Sequence, residues 1–426
     1  MGRFQALRRV VRAGAARLTA DRVLVGLIAV AFFVRLAWLL YAQPAPVSDF
    51  NDYRNLARYL LDHGQFGYPE PTAFFLPMHP LLLTGLMVVS SGDLWLGLGM
   101  VVVSTIACFL VYRLGIEMWR DRPVAYIAAG IAAVFPTFVL YSPVLATEHL
   151  FTVLMLAAML TVLRLRSNPA KRTALVAGIW LGAATLTRGE AVFYVPAFLV
   201  FVWFGSGFAG SRRKLIHGGV LVLGVLAVLA PWALRNALVV APDAGLSSSA
   251  GMNFYFAHND SRNYGPYEPN PLQGLSADEA SRRGWRLAFE YLAENPLRLV
   301  ADVRTGVTRF FTFDDYPLFW STRAIEHRGD RNFTTKPLAL SELLGQVNRA
   351  AAAALLVLAA AAVLMWRTWP VEVRTLLLPL ILSPFVLRTV IYWAQPRFRY
   401  FFDVLAVLFA ASVIVALRRT GHEPAA

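Results

Sequence analysis

The chain has 426 residues, 57% hydrophobic and only 15% charged, with a mean hydropathy of +0.53 and a formal net charge of +14. Soluble domains carry about 25% charged residues, so this composition excludes a soluble enzyme. Repeated apolar runs of about 20 residues make the chain an all-α polytopic membrane protein.

One cysteine, Cys108, excludes an intrachain disulfide and argues against a cysteine-ligated metal. Only three of the 40 basic residues are lysine. Arginine number therefore follows composition, and only arginine placement carries information. No nucleic-acid motif and no phosphate-cradling glycine loop is present.

The chain opens with a basic arm (Arg3, Arg8, Arg9, Arg12, Arg17, Arg22) and no small-residue cleavage site, which reads as a cytoplasmic arm before a signal-anchor helix. A first span is expected over 23–42. Residues 49–63 place Tyr53, Leu56, Ala57, Leu60 and Leu61 at helical spacing, with Asp52, Arg54, Asn55, Arg58 and Asp62 opposite. This is a helix suited to a membrane surface, ended by Gly64. Residues 78–91 are apolar but short, which fits a second interfacial helix.

Lying flat, that segment leaves the basic loops at 113–122, 164–172, 212–214 and 367–374 and the Arg418–Arg419 tail on the cytoplasmic side. Crossing would push the first three outside. The further spans are expected over 94–114, 123–141, 149–166, 173–187, 190–207, 215–240, 344–366, 373–393 and 398–418. That makes about ten transmembrane helices with both termini inside. Residues 241–342 form an external insert, mostly helical. A capping box at Ser276–Glu279 starts a helix ending near Asn295, and Pro296 starts another to about Phe311. Three units follow: a transmembrane module over 1–240, the insert over 241–343, and C-terminal helices over 344–426.

Asp49 and Asp52 follow the first span directly. They are a general base and its helper at an external cavity, or a helix N-cap and a dipole partner. Glu148, with His149 beside it, enters a span at its outer start, as a dipole partner or a site residue. Arg397 and Arg399 stand outside against the orientation rule and among aromatics, which suggests a bound anion. The alternative for Arg399 is an ion pair with Asp403 at i, i+4. Arg35 and Arg388 lie within spans, where each snorkels outward or helps hold a phosphate. Arg188 pairs with Glu190 in a short external turn, Arg235 closes a span, and Asp314–Asp315 reads as a solvated turn.

In order, SDFNDY, LPMHP, TEHLF, LTRGEA, PWALRN and QPRFRY resemble the GT-C membrane glycosyltransferases, within the glycosyltransferase-39-like group of protein O-mannosyltransferases and lipid A aminoarabinose transferases. The resemblance covers most of 23–240 and weakly the C-terminal spans. It implies a GT-C-like bundle, a catalytic role for Asp49, a second acidic position at Glu148, and a polyprenyl-phosphate sugar as donor. The aminoarabinose transferases have an acidic–basic pair before the proline of the second interfacial helix. Here that place reads Phe75-Leu76-Pro77, so the donor phosphate falls to Arg397 and Arg399, with Arg54 or Arg58 in reserve. Tyr53, His79, His149, Arg188, Arg235 and Arg388 complete the expected substrate-binding set.

The expected activity is inverting transfer of a monosaccharide to a glycan, lipid or protein acceptor on the outer face of a bacterial plasma membrane. No cofactor is required, though three nearby carboxylates suit a divalent cation. The rival reading, a flippase of a lipid-linked sugar, predicts internal repeats and mid-bilayer ionisable groups. The polar groups here gather instead at the outer ends of the spans.

Overall fold

A computed structural model of the chain describes residues 2–259, 271–312, 315–325, 333–335, 339–392 and 394–420. Among them, six helices are long and apolar enough to cross a membrane: Arg22–Ala42, Asp93–Trp119, Thr147–Arg166, Ser211–Val239, Ser341–Val363 and Pro396–Arg419. The chain is a multi-pass membrane protein. The other four expected spans are shorter or broken. Residues 190–207 and 373–393 each mix α-helix with π or 3-10 turns.

In chain order the helices are α1 (Gly2–Ala42), α2 (Asp49–His63), α3 (Met78–Met87), α4 (Asp93–Trp119), α5 (Arg122–Val134), α6 (Pro136–Leu140), α7 (Thr147–Leu163), α8 (Lys171–Thr185), α9 (Val195–Val200) and α10 (Ser211–Val239). The insert carries α11 (Ala250–Ala257), α12 (Ala277–Glu294), α13 (Arg298–Phe310) and α14 (Tyr316–Ser321). It also carries one antiparallel strand pair, β1 (Arg323–Ile325) with β2 (Phe333–Thr335). The C-terminal part is α15 (Ser341–Val363), α16 (Leu378–Val386) and α17 (Tyr400–Thr420).

The break between α5 and α6 explains Arg35. The carbonyl of Ala132 would normally accept from residue 136, but Pro136 has no N–H. An unpaired carbonyl is costly inside a membrane. Arg35, fully buried on α1, donates to Ala132 O at 2.8 Å, Ala133 O at 2.7 Å and Ser104 Oγ at 3.1 Å. It neither snorkels nor reaches a phosphate; it caps a broken helix. Elsewhere α8 packs along α10 through two facing glycines. A Cβ on Gly178 would lie 2.0 Å from Leu221 O, so the backbones meet only without side chains there.

The first loop lies across one end of the bundle. Phe50, Leu56 and Ala57 of α2 are buried, and Gly64 ends the helix in the left-handed conformation. Asp49 is the first helical residue and Ser48 precedes it, so the N-cap reading of Asp49 is replaced by a first-turn position. At ten residues α3 is about 15 Å long, half of a bilayer core of about 30 Å. Met78 N donates to Leu186 O, just past α8, at 3.1 Å, and His79 Nε2 lies 3.0 Å from Leu145 O, just before α7. Thus α3 rests on the ends of its neighbours and does not cross.

The helices α4, α7 and α17 run from this end to the other. There Glu372 pairs with Arg166 and Arg120, and Asp121 pairs with Arg419. The basic loops and the Asp49 region therefore occupy opposite ends, as orientation by positive charge requires.

Candidate active site

Four separate stretches meet at the Asp49 end. From α2 come Asp49, Phe50 and Tyr53. Arg397 Nη2 donates to Asp49 Oδ2 at 3.4 Å, across 348 residues of sequence. That is long beside the usual 2.7–2.9 Å of a charge-assisted bond. The Asp49 side chain is 41% exposed and that of Arg397 15%. Arg397 Nε is buried and has no hydrogen-bond partner. Its guanidinium lies 5.0 Å from the Phe398 ring and 6.0 Å from Trp320 of α14, and Trp320 meets Phe50 edge-on at 5.2 Å.

Beside this pair stands a second, closed one. Arg188 bonds Glu148 Oε1 at 2.8 Å and Glu190 Oε1 at 2.9 Å, and donates to Thr147 Oγ1 at 2.9 Å. The Thr147 hydroxyl donates onward to Glu148 at 3.3 Å. Burial works against the Arg188 charge, but the two carboxylates overcome it and hold the guanidinium protonated. Arg188 also lies 5.4 Å from the Phe398 ring, so one aromatic stands near both guanidinium groups. The TEHLF and LTRGEA motifs thus converge, and Glu148 is tied down.

Tyr53 sits one turn after Asp49, edge-on to Phe75 at 5.1 Å and to His79 at 5.2 Å. Burial first, then the charges of Asp49 and Glu148, raise its hydroxyl far above the ordinary range, so Tyr53 stays protonated. Burial lowers His79 to about 4, which keeps it neutral at pH 7. With Nε2 against a carbonyl, that nitrogen carries the proton and donates. The bare Nδ1 is buried with no partner.

Several expected site residues lie elsewhere. Arg399 pairs with Asp403 at 3.1 Å and donates to Phe310 O at 2.9 Å, so the i, i+4 ion pair replaces the anion site. Arg54 pairs with Asp93 at 2.8 Å and fastens α2 to α4. Arg58 is exposed. Asp52 accepts from the Tyr68 hydroxyl at 3.2 Å. Arg235 holds the first loop through Thr72 O and Phe66 O, both at 2.8 Å. His149 spends both ring nitrogens inside the protein, on Tyr141 O at 3.0 Å and the Tyr400 hydroxyl at 3.3 Å. The side chain of Arg388 lies outside what is described. Phe398, Thr147 and Trp320 escaped the sequence reading. Phe398 was findable, standing between two suspected arginines; nothing local marks Trp320.

Among the described residues, no three His, Cys, Asp or Glu side chains are grouped to hold a metal. Asp49 faces Arg397, while Glu148 and Glu190 face Arg188, so the carboxylates here are matched to guanidinium groups.

Residues 70–234 match the family model of dolichyl-phosphate-mannose-protein mannosyltransferases. The match includes His79, Glu148 and Arg188 and stops short of Asp49 and Arg397. No curated protein sequence matches the chain. The fold is similar to that of the Archaeoglobus fulgidus oligosaccharyltransferase, crystallised with zinc and sulfate, at 16% identity and a TM-score of 0.53. The superposition covers 93% of this chain, which spans about half (49%) of that larger protein. ArnT from Cupriavidus metallidurans aligns over 93% of this chain and 78% of its own at 13% identity, with a TM-score of 0.45. The family model matches less than half of the chain, so the chain is similar to that family over residues 70–234 and shares a fold with the oligosaccharyltransferase.

Proposed function

We propose that the chain is an inverting glycosyltransferase, using a polyprenyl-phosphate sugar on the outer face of the plasma membrane, with Asp49 as general base. The observation that carries this reading is the loose Asp49–Arg397 pair at the rim of the bundle. Of the three acids expected to be catalytic, Glu148 is locked to Arg188 and Asp52 faces Tyr68. Asp49 has one long contact and an accessible carboxylate.

The acceptor hydroxyl passes its proton to Asp49 as its oxygen attacks the anomeric carbon. The bond from that carbon to the phosphate oxygen breaks on the opposite side, and polyprenyl phosphate leaves with the electron pair. A phosphate monoester has a second pKa of about 6, so it departs as a dianion without a general acid. It needs stabilised charge. Arg397 supplies this by exchanging Asp49 for the phosphate, using the unpartnered Nε and an Nη together. The same exchange frees Asp49 to act as a base. Glu148 and Glu190 fix Arg188 beside Phe398, which positions Arg397.

The test is release of polyprenyl phosphate from labelled donor by protein in liposomes. Asp49→Asn should lower turnover by about 10²–10⁴ while leaving insertion and thermal midpoint unchanged. Near-normal turnover would end the assignment.

A further inference from the structure

At the end of the bundle opposite Asp49, a cleft of about 360 Å³ opens between the ends of α4 and α7 and the start of α5. Ile116 and Leu163 give it an apolar wall. Arg120, Arg122 and Arg166, all exposed, give it a basic one. None of these residues takes part in the proposed transfer.

The acids present do not balance these charges. Glu372 is buried and serves two arginines at once, Arg166 and, at 3.5 Å, Arg120. Glu117 also lines the cleft, but it is shared with Arg113, one turn before it, at 3.7 Å. A single carboxylate between two guanidinium groups leaves positive charge over, and Arg122 adds more.

Arg120 is the residue hardest to explain without a ligand. It caps α4 in the left-handed conformation, φ 53°, ψ 28°, where a Cβ is strained and glycine is usual. Its side chain is 73% exposed, and an ion pair at 3.5 Å with that exposure adds little. Glycine would end α4 without strain. Strain kept at a non-glycine residue points to work done by its side chain.

The level of the cleft says what the anion is. Trp119, next to Arg120, and Trp369 both pack on Phe409, at 6.2 and 4.7 Å, and Trp366 is half exposed. Tryptophans gather where a membrane meets water, at the depth of the lipid headgroups. A soluble phosphate needs no apolar wall. A phospholipid fits both walls, with its phosphate on the arginine forks and the start of its acyl chains on Ile116 and Leu163. Basic pockets between spans on the cytoplasmic side take anionic headgroups in this way.

We propose that this cleft holds the phosphate of an anionic phospholipid from the leaflet at this end, the cytoplasmic one by the placement of positive charge. Arg120 and Arg122 take the phosphate oxygens, and Glu372 fixes Arg166 behind them. The proposal needs only that the chain spans a membrane, so it stands or falls apart from the transferase reading.

The test is native mass spectrometry of the full-length protein in neutral detergent, titrated with phosphatidylglycerol. The first phosphatidylglycerol should bind about tenfold more tightly than phosphatidylcholine, and Arg120→Gly or Arg122→Ala should each weaken it about tenfold. The thermal midpoint of Arg120→Gly should not fall, since glycine suits that backbone. The control is Arg212→Ala. Arg212 is exposed at the start of α10, which His217 ties to this end through Pro169 O at 3.1 Å. Lying outside the cleft, its loss should change the affinity by less than about twofold. Equal affinity for the two lipids, unchanged binding in either cleft variant, or an equal loss in Arg212→Ala would overturn the site. A lowered midpoint in Arg120→Gly would make that residue structural, and Arg122→Ala would then decide alone. Displacement of the lipid by excess inorganic phosphate would make this a site for a soluble anion and overturn the lipid assignment.

Discussion

Two guanidinium groups stand within 5.4 Å of the Phe398 ring, and they differ in how fully they are used. Arg188 is tightly held: two carboxylates and a hydroxyl at 2.8–2.9 Å engage its Nε and Nη1. Arg397 is open: it has one carboxylate contact at 3.4 Å, an orphan Nε, and a cleft against its flank. A saturated buried ion network holds structure and resists change. An arginine with spare donors and an accessible rim is ready for an anion. Count of charges alone would have ranked the Arg188 cluster first; satisfaction of donors reverses the order.

Substitution should separate the two. Arg188→Met leaves Glu148 and Glu190 buried without a counter-charge, so it should cost about 3–5 kcal/mol, read as a lower thermal midpoint and poor recovery in detergent. A normal midpoint would mean that Arg188 is not the scaffold. Arg397→Ala should leave the midpoint in place and lower kcat/KM by about 10²–10³, with Arg397→Lys recovering part of it, because a point charge replaces a fork. Equal loss of stability in both variants would collapse the comparison.

The smallest effect concerns the ring beneath Tyr53. The folded state lowers His79 to about 4 from its ordinary 6.5. The unfolded chain therefore binds the proton first, and stability falls as pH drops from about 6.5 towards 4, at up to about 1.4 kcal/mol per unit. His79→Gln should flatten that part of the profile of thermal midpoint against pH. An unchanged slope would place the titration elsewhere.

Local pattern carried much of the fold. Residues 49–63 were legible to the residue as α2, because apolar spacing and Gly64 both act within one helix. The capping box at Ser276–Glu279 formed as expected. The break within the third expected span was not legible. Hydropathy sees 123–141 as one run, whereas Phe135 and Pro136 break it, and the repair comes from Arg35 about a hundred residues away. The same limit separates Arg397 from Arg399. The i, i+4 partner of Arg399 is visible in sequence, but nothing local says that Phe310 O completes its shell while Arg397 Nε stays empty. Asp315 looked like a turn because its partner, Arg349, lies on another helix.

The most direct measurement is equilibrium binding of polyprenyl phosphate, without acceptor, to three proteins. Exchange of Asp49 for phosphate at Arg397 predicts that Arg397→Ala binds at least about tenfold more weakly, a difference of about 1.4 kcal/mol. It also predicts that Asp49→Asn, though inactive, binds as tightly as the wild type or tighter, since the competing carboxylate is gone. Weaker binding by Asp49→Asn together with unchanged binding by Arg397→Ala would contradict the account.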